Sequence, residues 1–175
     1  MMRNEGKKKK LLTFVFSLLL IGLYFVIFRF SADDAESSSN LSMRVSEHVV
    51  RLYHRLSCRP ENGEIISAAA AAAEGVIRKL AHFTEYMALG FLSTLIWDMW
   101  VDRRSRCFLL VLAQLFLSAG ADEVHQYFVP GRHASIWDVL IDVSGGIVGM
   151  AAVFCLKGIV EQWNHIRERE SKICF

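Results

Sequence analysis

Paired cysteines are missing from this chain. Its four, Cys58, Cys107, Cys155 and Cys174, show no paired spacing, which excludes a disulfide framework and a cysteine-based metal site. An excess of one charge is missing too. The 20 Lys and Arg stand against 18 Asp and Glu, a net of +2, too little to point to nucleic acid. There is no zinc finger, P-loop or glycine-rich phosphate loop, and no inverted repeat of the kind many transporters carry. Apolar residues, by contrast, are abundant. Of 175 residues 53% are hydrophobic, with a mean hydropathy of +0.31. That exceeds the usual soluble range and implies a membrane protein, of one domain or two small ones by length.

Residues 11–28, "LLTFVFSLLLIGLYFVIF", are eighteen residues without a charge, enough for a transmembrane helix. Four lysines at 7–10 precede them. A signal peptide begins similarly, but this apolar run is long for one and no small-x-small cleavage site follows. Residues 1–30 therefore read as an uncleaved anchor. Residues 31–75 read as an extracytoplasmic loop. Its opening, "SADDAESSSN", is acidic, Ser-rich and expected to be loose. "LSMRVSEHVVRLYHRL" then places Val45, Val49, Leu52, Tyr53 and Leu56 on one helical face, with Arg44, Glu47, His48, Arg51, His54 and Arg55 on the other. Such an amphipathic helix either packs on the protein's own surface or lies on lipid headgroups. "CRPENGE" ends it, and the alanines at 68–73 lead into the next helix.

Three more apolar segments follow: 80–101, 107–121 with its helix continuing to about Tyr127, and 136–156. They complete an expected all-α membrane protein of four transmembrane helices plus the amphipathic helix in the outer loop. Residues 76–156 form its three-helix core and 157–175 a charged cytoplasmic tail. Placing both termini inside puts Arg3, the lysines at 7–10, Arg103, Arg104, Arg106, Lys157, Arg167, Arg169 and Lys172 in the cytoplasm. These are 12 of the 20 basic residues, the bias expected of cytoplasmic segments. Only Cys58 then faces the oxidising side, so no intramolecular disulfide forms there.

A depth ruler runs along the core. Uncharged residues number 12 between Glu85 and Asp98, 15 between Arg106 and Asp122, and 14 between Asp142 and Lys157. At 1.5 Å per residue these are roughly 18, 23 and 21 Å of helix, against a hydrocarbon core of about 30 Å. Three helices thus bring a carboxylate to a similar level in the outer third. Polar groups also recur at helical spacing: Lys79, His82, Glu85 and Tyr86; Asp122, His125 and Gln126; Asp138 and Asp142. Gly145, Gly146 and Gly149 continue the last face as a close-packing seam. Ionisable groups at this depth each cost at least ~2.5 kcal/mol to insert, so they are expected to face one another in a polar cluster open to the outer face.

Plainer roles are available to single residues. Ser135 followed by Asp138 matches a helix-start capping box. "VPGR" at 129–132 is a turn, in which Arg132 and His133 are ordinary loop residues. His82 can simply hydrogen-bond Asp122 or Asp142.

"RKLAHFTEYMALG", "ADEVHQYFVPGR" and "DVLIDVSGGIVG", in that order and spacing, resemble the VanZ-like family over roughly residues 76–150. The first helix and its "FRFS" exit are in keeping, while 41–75 is less typical. The resemblance implies a small multi-pass bacterial membrane protein at the cell membrane. The family is named for a member linked to low-level resistance to teicoplanin, a lipid-tailed glycopeptide. The matching positions are Lys79, His82, Glu85, Tyr86, Asp122, Glu123, His125, Gln126, Pro130, Gly131, Arg132, Asp138, Asp142 and Gly145.

Three classes of function fit this pattern. The first is binding or modification of an outer-leaflet headgroup, a cell-wall precursor or the glycopeptide. Arg132 and Lys79 would meet phosphate or carboxylate, with His82, Tyr86, Glu123, Gln126 and Asp138 as further binding residues. The second is a metal-dependent hydrolase or transferase. His82, Glu85, Asp122, His125 and Asp142 are permissible ligands, the pairs His82/Glu85 and Asp122/His125 having the i, i+3 spacing of di-metal bundles. Glu85, Asp122, His125 and Asp142 are the candidates for acid–base work. The third is a proton-coupled transporter or a scaffold.

Overall fold

The apolar and amphipathic stretches fold as helices because most of their residues are strong helix formers and only two prolines, Pro60 and Pro130, interrupt the chain. The computed structural model describes residues 2–60 and 62–173, with side chains within 5–169. Among these residues it holds five helices and no strand: α1 (Met2–Ser31), α2 (Ala35–Leu56), α3 (Gly63–Trp100), α4 (Arg104–Tyr127) and α5 (Ile136–Ile173). Cys174 lies outside the described residues, as do the side chains of Arg3 and Lys172.

The stretch expected to be a loop is mostly helix. "SADDAESSSN" supplies its own start signal, since the Asp34 carboxylate accepts from the Ser37 N–H at 2.7 Å and caps α2. That backbone hydrogen bond holds Asp34 below its ordinary pKa. Asn62 caps α3 in the same way through the Glu64 N–H at 3.0 Å. The alanine run lies wholly within α3, and the expected tail continues α5 without a break as far as Ile173.

Among the described residues α1, α4 and α5 are long and apolar enough to cross a membrane. The fourth expected span, α3, has the length, at 38 residues, but not the composition. His82, Glu85, Tyr86, Ser93 and Thr94 dilute its hydropathy. Three of these, Tyr86, Ser93 and Thr94, are fully buried, so the bundle takes up much of α3's polarity.

α3 is the central element and packs on each of the other four helices. Tyr86 and Leu89 of α3 meet Cys107, Val111, Leu115 and Ala119 of α4 and Val139, Val143 and Met150 of α5. Glycines set the α3–α5 distance. A Cβ at Gly145 would collide with the carbonyl of Phe83, one at Gly149 with that of Met87, and one at Gly90 with the backbone of Gly146. The expected seam is therefore a backbone-to-backbone approach. A chain of side chains joins three helices midway along the bundle. Gln114 donates to Tyr24 Oη at 3.1 Å and Ser93 Oγ at 2.9 Å, and accepts from Trp97 Nε1 at 3.0 Å.

The two ends of the bundle differ. At one, Lys157 pairs with Asp98, Trp100 donates to Thr13, and Lys9 lies over the Trp100 ring. At the other, α2 runs back along the first half of α3. It packs there through Ser42, Ser46 and His54, against Ile66 and Ala70. Its apolar face points away from the protein, from Val45 at 44% exposed to Leu56 at 78%. The helix does pack on the protein's own surface, but through small and polar residues. Alanine and serine let the two helices approach closely, which bulky Leu and Val would prevent.

Candidate functional site

The apolar stripe of α4 runs Cys107, Val111, Leu115, Ala119. One further turn along, the same face carries Asp122, Glu123 and Gln126, all buried. On α5, Asp138 and Asp142 precede the glycine seam by two turns and one turn. Because that seam draws α5 onto α3, Asp142 is pressed against α3 and is only 1% exposed. On α3 the same level holds Lys79 and His82. The helices thus surround a cavity of about 230 Å³, whose lining includes Arg78, Lys79, His82, Arg132, Asp138 and Asp142.

Of the three carboxylates expected at one level, Asp122 and Asp142 come together, Asp142 lining this cavity and Asp122 a neighbouring one with Tyr86 and His125. His82, Asp122 and Asp142 each place a ligand-type atom within 4.8 Å of the others. Glu85 stands apart, lining a smaller cavity of about 100 Å³ toward α2 with Arg78, His82 and Arg132. His125 is not brought to the main cavity. Its ring stacks on Phe28 of α1 at 4.8 Å, and its buried Nε2 has no hydrogen-bond partner among the described residues. Tyr86 belongs to the apolar core. His82 Nδ1 lies 3.9 Å from Asp142 Oδ1, beyond hydrogen-bond reach.

A hydrogen-bonded chain fixes one wall. Ser31 Oγ donates to Asp122 Oδ1 at 2.5 Å, and Gln126 Nε2 donates to Asp122 Oδ2 at 3.0 Å. Arg132 Nη1 donates to Gln126 Oε1 at 3.0 Å, and Nη2 to the Phe30 carbonyl at 3.2 Å. The turn that carries Arg132 rests on Gly131, whose φ of +76° is open to glycine at little cost. Pro130 O accepts from Ala35 N at 3.4 Å, docking the turn on α2. Burial pulls the guanidinium below its ordinary pKa and Arg78 adds to that, while Asp122, Asp33 and Glu123 oppose it. Arg132 stays a cation, as guanidinium does in proteins. Its Nε is buried and has no partner among the described residues.

The expected capping box closes differently. Ser135 caps α5, its Oγ accepting from Trp137 N at 3.2 Å. The reciprocal carboxylate comes from Glu123 of α4, which accepts from Ser135 N at 2.8 Å. Asp138 is thereby left for Lys79, at 3.3 Å. Three contributors escaped the sequence reading. Arg78 carried no signal beyond its place beside Lys79, and Ser31 was visible only as the exit of the first apolar run. Gln114 stood alone in an uncharged stretch.

Helices long and apolar enough to cross a membrane, packed around a cavity lined by charged side chains, define a class: a multi-helix membrane protein. The family follows from comparison. The model of the VanZ/LLP1 family matches residues 16–157, and the chain belongs to that family. The match extends well beyond the three motifs, taking in the second half of α1 and all of α2. No curated protein and no solved structure matches the chain.

Proposed function

We propose that the cavity binds an anionic group, phosphate or carboxylate, presented at the outer leaflet by a lipid headgroup, a cell-wall precursor or a lipid-tailed glycopeptide. By holding or modifying that group, the protein would contribute to teicoplanin-type resistance. The observation that carries this reading is Arg132 Nε, a buried donor without a partner in a guanidinium already oriented by Gln126 and Phe30 O. An unpaired donor costs free energy unless a ligand meets it, and guanidinium suits phosphate and carboxylate. Arg78, Lys79 and His133 line the same cavity.

In this reading α3 is a fourth span, its polar residues facing the cavity and its partners rather than lipid. Both termini lie in the cytoplasm, where Lys9 and Lys157 mark the basic end. The cavity then opens outward, and the apolar face of α2 lies toward the bilayer surface.

Teicoplanin susceptibility of a sensitive bacterium tests the proposal, with membrane levels matched. Wild type should protect, while Arg132→Gln, which removes the cation, should abolish protection. Arg132→Lys should keep only part of it, since a lysine lacks the fork. Equal protection by Arg132→Gln would refute the anion reading.

A further inference from the structure

We infer that His82, Asp122 and Asp142 form a site for one divalent transition metal ion of the zinc or manganese kind. Asp142 carries the inference. It is 1% exposed, and neither carboxylate oxygen has a hydrogen-bond partner among the described residues. A buried carboxylate left in this state is among the most costly groups a fold can hold. The nearby cations do not relieve it. Lys79 is engaged by Asp138, and Arg132 by Gln126 and the Phe30 carbonyl. A single proton would serve one oxygen of Asp142 and leave the other without a partner.

A metal ion satisfies all of these groups together. Zinc binds nitrogen and oxygen ligands at about 2.0–2.2 Å, so donors around one ion sit about 3–4 Å apart. His82 Nδ1 and Asp142 Oδ1 are already 3.9 Å apart, and all three donors lie within 4.8 Å. Closing on an ion takes side-chain adjustments of under about 1 Å. One imidazole with two carboxylates favours zinc, manganese or iron(II) over calcium and magnesium, which prefer all-oxygen shells.

Support for the ligands is also present. Ser31 and Gln126 each donate to one oxygen of Asp122, orienting it while lone pairs remain free. Such outer-shell hydrogen bonds are a habit of metal sites. The three ligands come from α3, α4 and α5, so the ion would also tie the end of α4 and the start of α5 to the middle of α3. Its open positions would face the cavity shared with Lys79, Asp138 and Arg132. The inference rests on Asp142 and His82, not on the anion reading, and its readout is separate from resistance.

The test uses the full chain in detergent, purified through a tag without histidine. It is stripped with EDTA, incubated with Zn²⁺ or Mn²⁺ and desalted, and bound metal is counted by mass spectrometry. Wild type should retain about one ion per chain, unaffected by excess Ca²⁺ or Mg²⁺. Retention should fall by more than about tenfold in Asp142→Asn and in His82→Gln, at least the loss caused by removing an outer-shell group. Glu161→Gln, exposed at the opposite end of the bundle, should bind as wild type does. Should the variants aggregate, Co²⁺ on wild type decides, through visible absorption of a nitrogen–oxygen site. No retained ion, no such absorption, or retention unchanged in both ligand variants would overturn the inference.

Discussion

Gly149→Ala adds one methyl group to the tightest part of the α3–α5 seam. That methyl would lie 2.8 Å from the Phe91 nitrogen and closer still to the Met87 carbonyl. Both neighbours are backbone, so no rotamer change relieves the contact, and α5 must part from α3 by on the order of 1 Å. Overpacking of this kind costs typically 1–3 kcal/mol, offset by the ~1 kcal/mol that alanine gains over glycine within a helix. A net loss of about 0–2 kcal/mol is expected. Gly120→Ala and Gly22→Ala are the internal controls. Both glycines lie within helices with nothing inside 4 Å of an added Cβ, so only the gain applies. Reversible unfolding in mixed micelles, followed by tryptophan fluorescence, should therefore place Gly149→Ala about 1–3 kcal/mol below Gly120→Ala, the helix-propensity gain being common to both. Coincident unfolding curves would refute the seam as the determinant of helix spacing. The burial of Asp142 would then need another cause.

Gln114→Leu keeps the volume but removes the link among Tyr24, Ser93 and Trp97. Interhelical hydrogen bonds in membranes average about 0.6 kcal/mol, so the same unfolding assay should register a loss of about 0.5–1.5 kcal/mol. Glu123→Ala removes the acceptor of the Ser135 N–H. The start of α5 should loosen by about 1 kcal/mol, seen as faster tryptic cleavage at Arg132 with the rest of the chain intact. A cleavage rate equal to wild type would mean that the turn is held by its Pro130 and Gly131 contacts to α2 alone.

Much of the bundle was legible from spacing. Period and length marked α1, α4 and α5. Residue counting put Asp122 and Asp142 at one depth, and the glycines announced the seam. Other features were not legible, each for a physical reason. Periodicity assigns residues to a face but does not say what the face meets. His125 shares a helix turn with Asp122, yet points to Phe28 of α1. The amphipathic pattern of α2 was plain, but its small polar residues pack inward because alanines oppose them. The capping box had the right serine and the wrong carboxylate, since Glu123 reaches it from a neighbouring helix.

The sequence by itself determined the apolar helices, their lengths and the spacing of the charges along them. These follow from local propensity and from the cost of burying polar atoms in hydrocarbon, which act on each segment alone. Only the tertiary structure decided which of those charges meet. Glycine contact sets the register of α5 on α3, and that register places Asp142 beside His82 while Glu85 and His125 turn elsewhere. Contacts between segments far apart in the chain carry no periodic signature, so packing alone turned a row of depth-matched acids into one site.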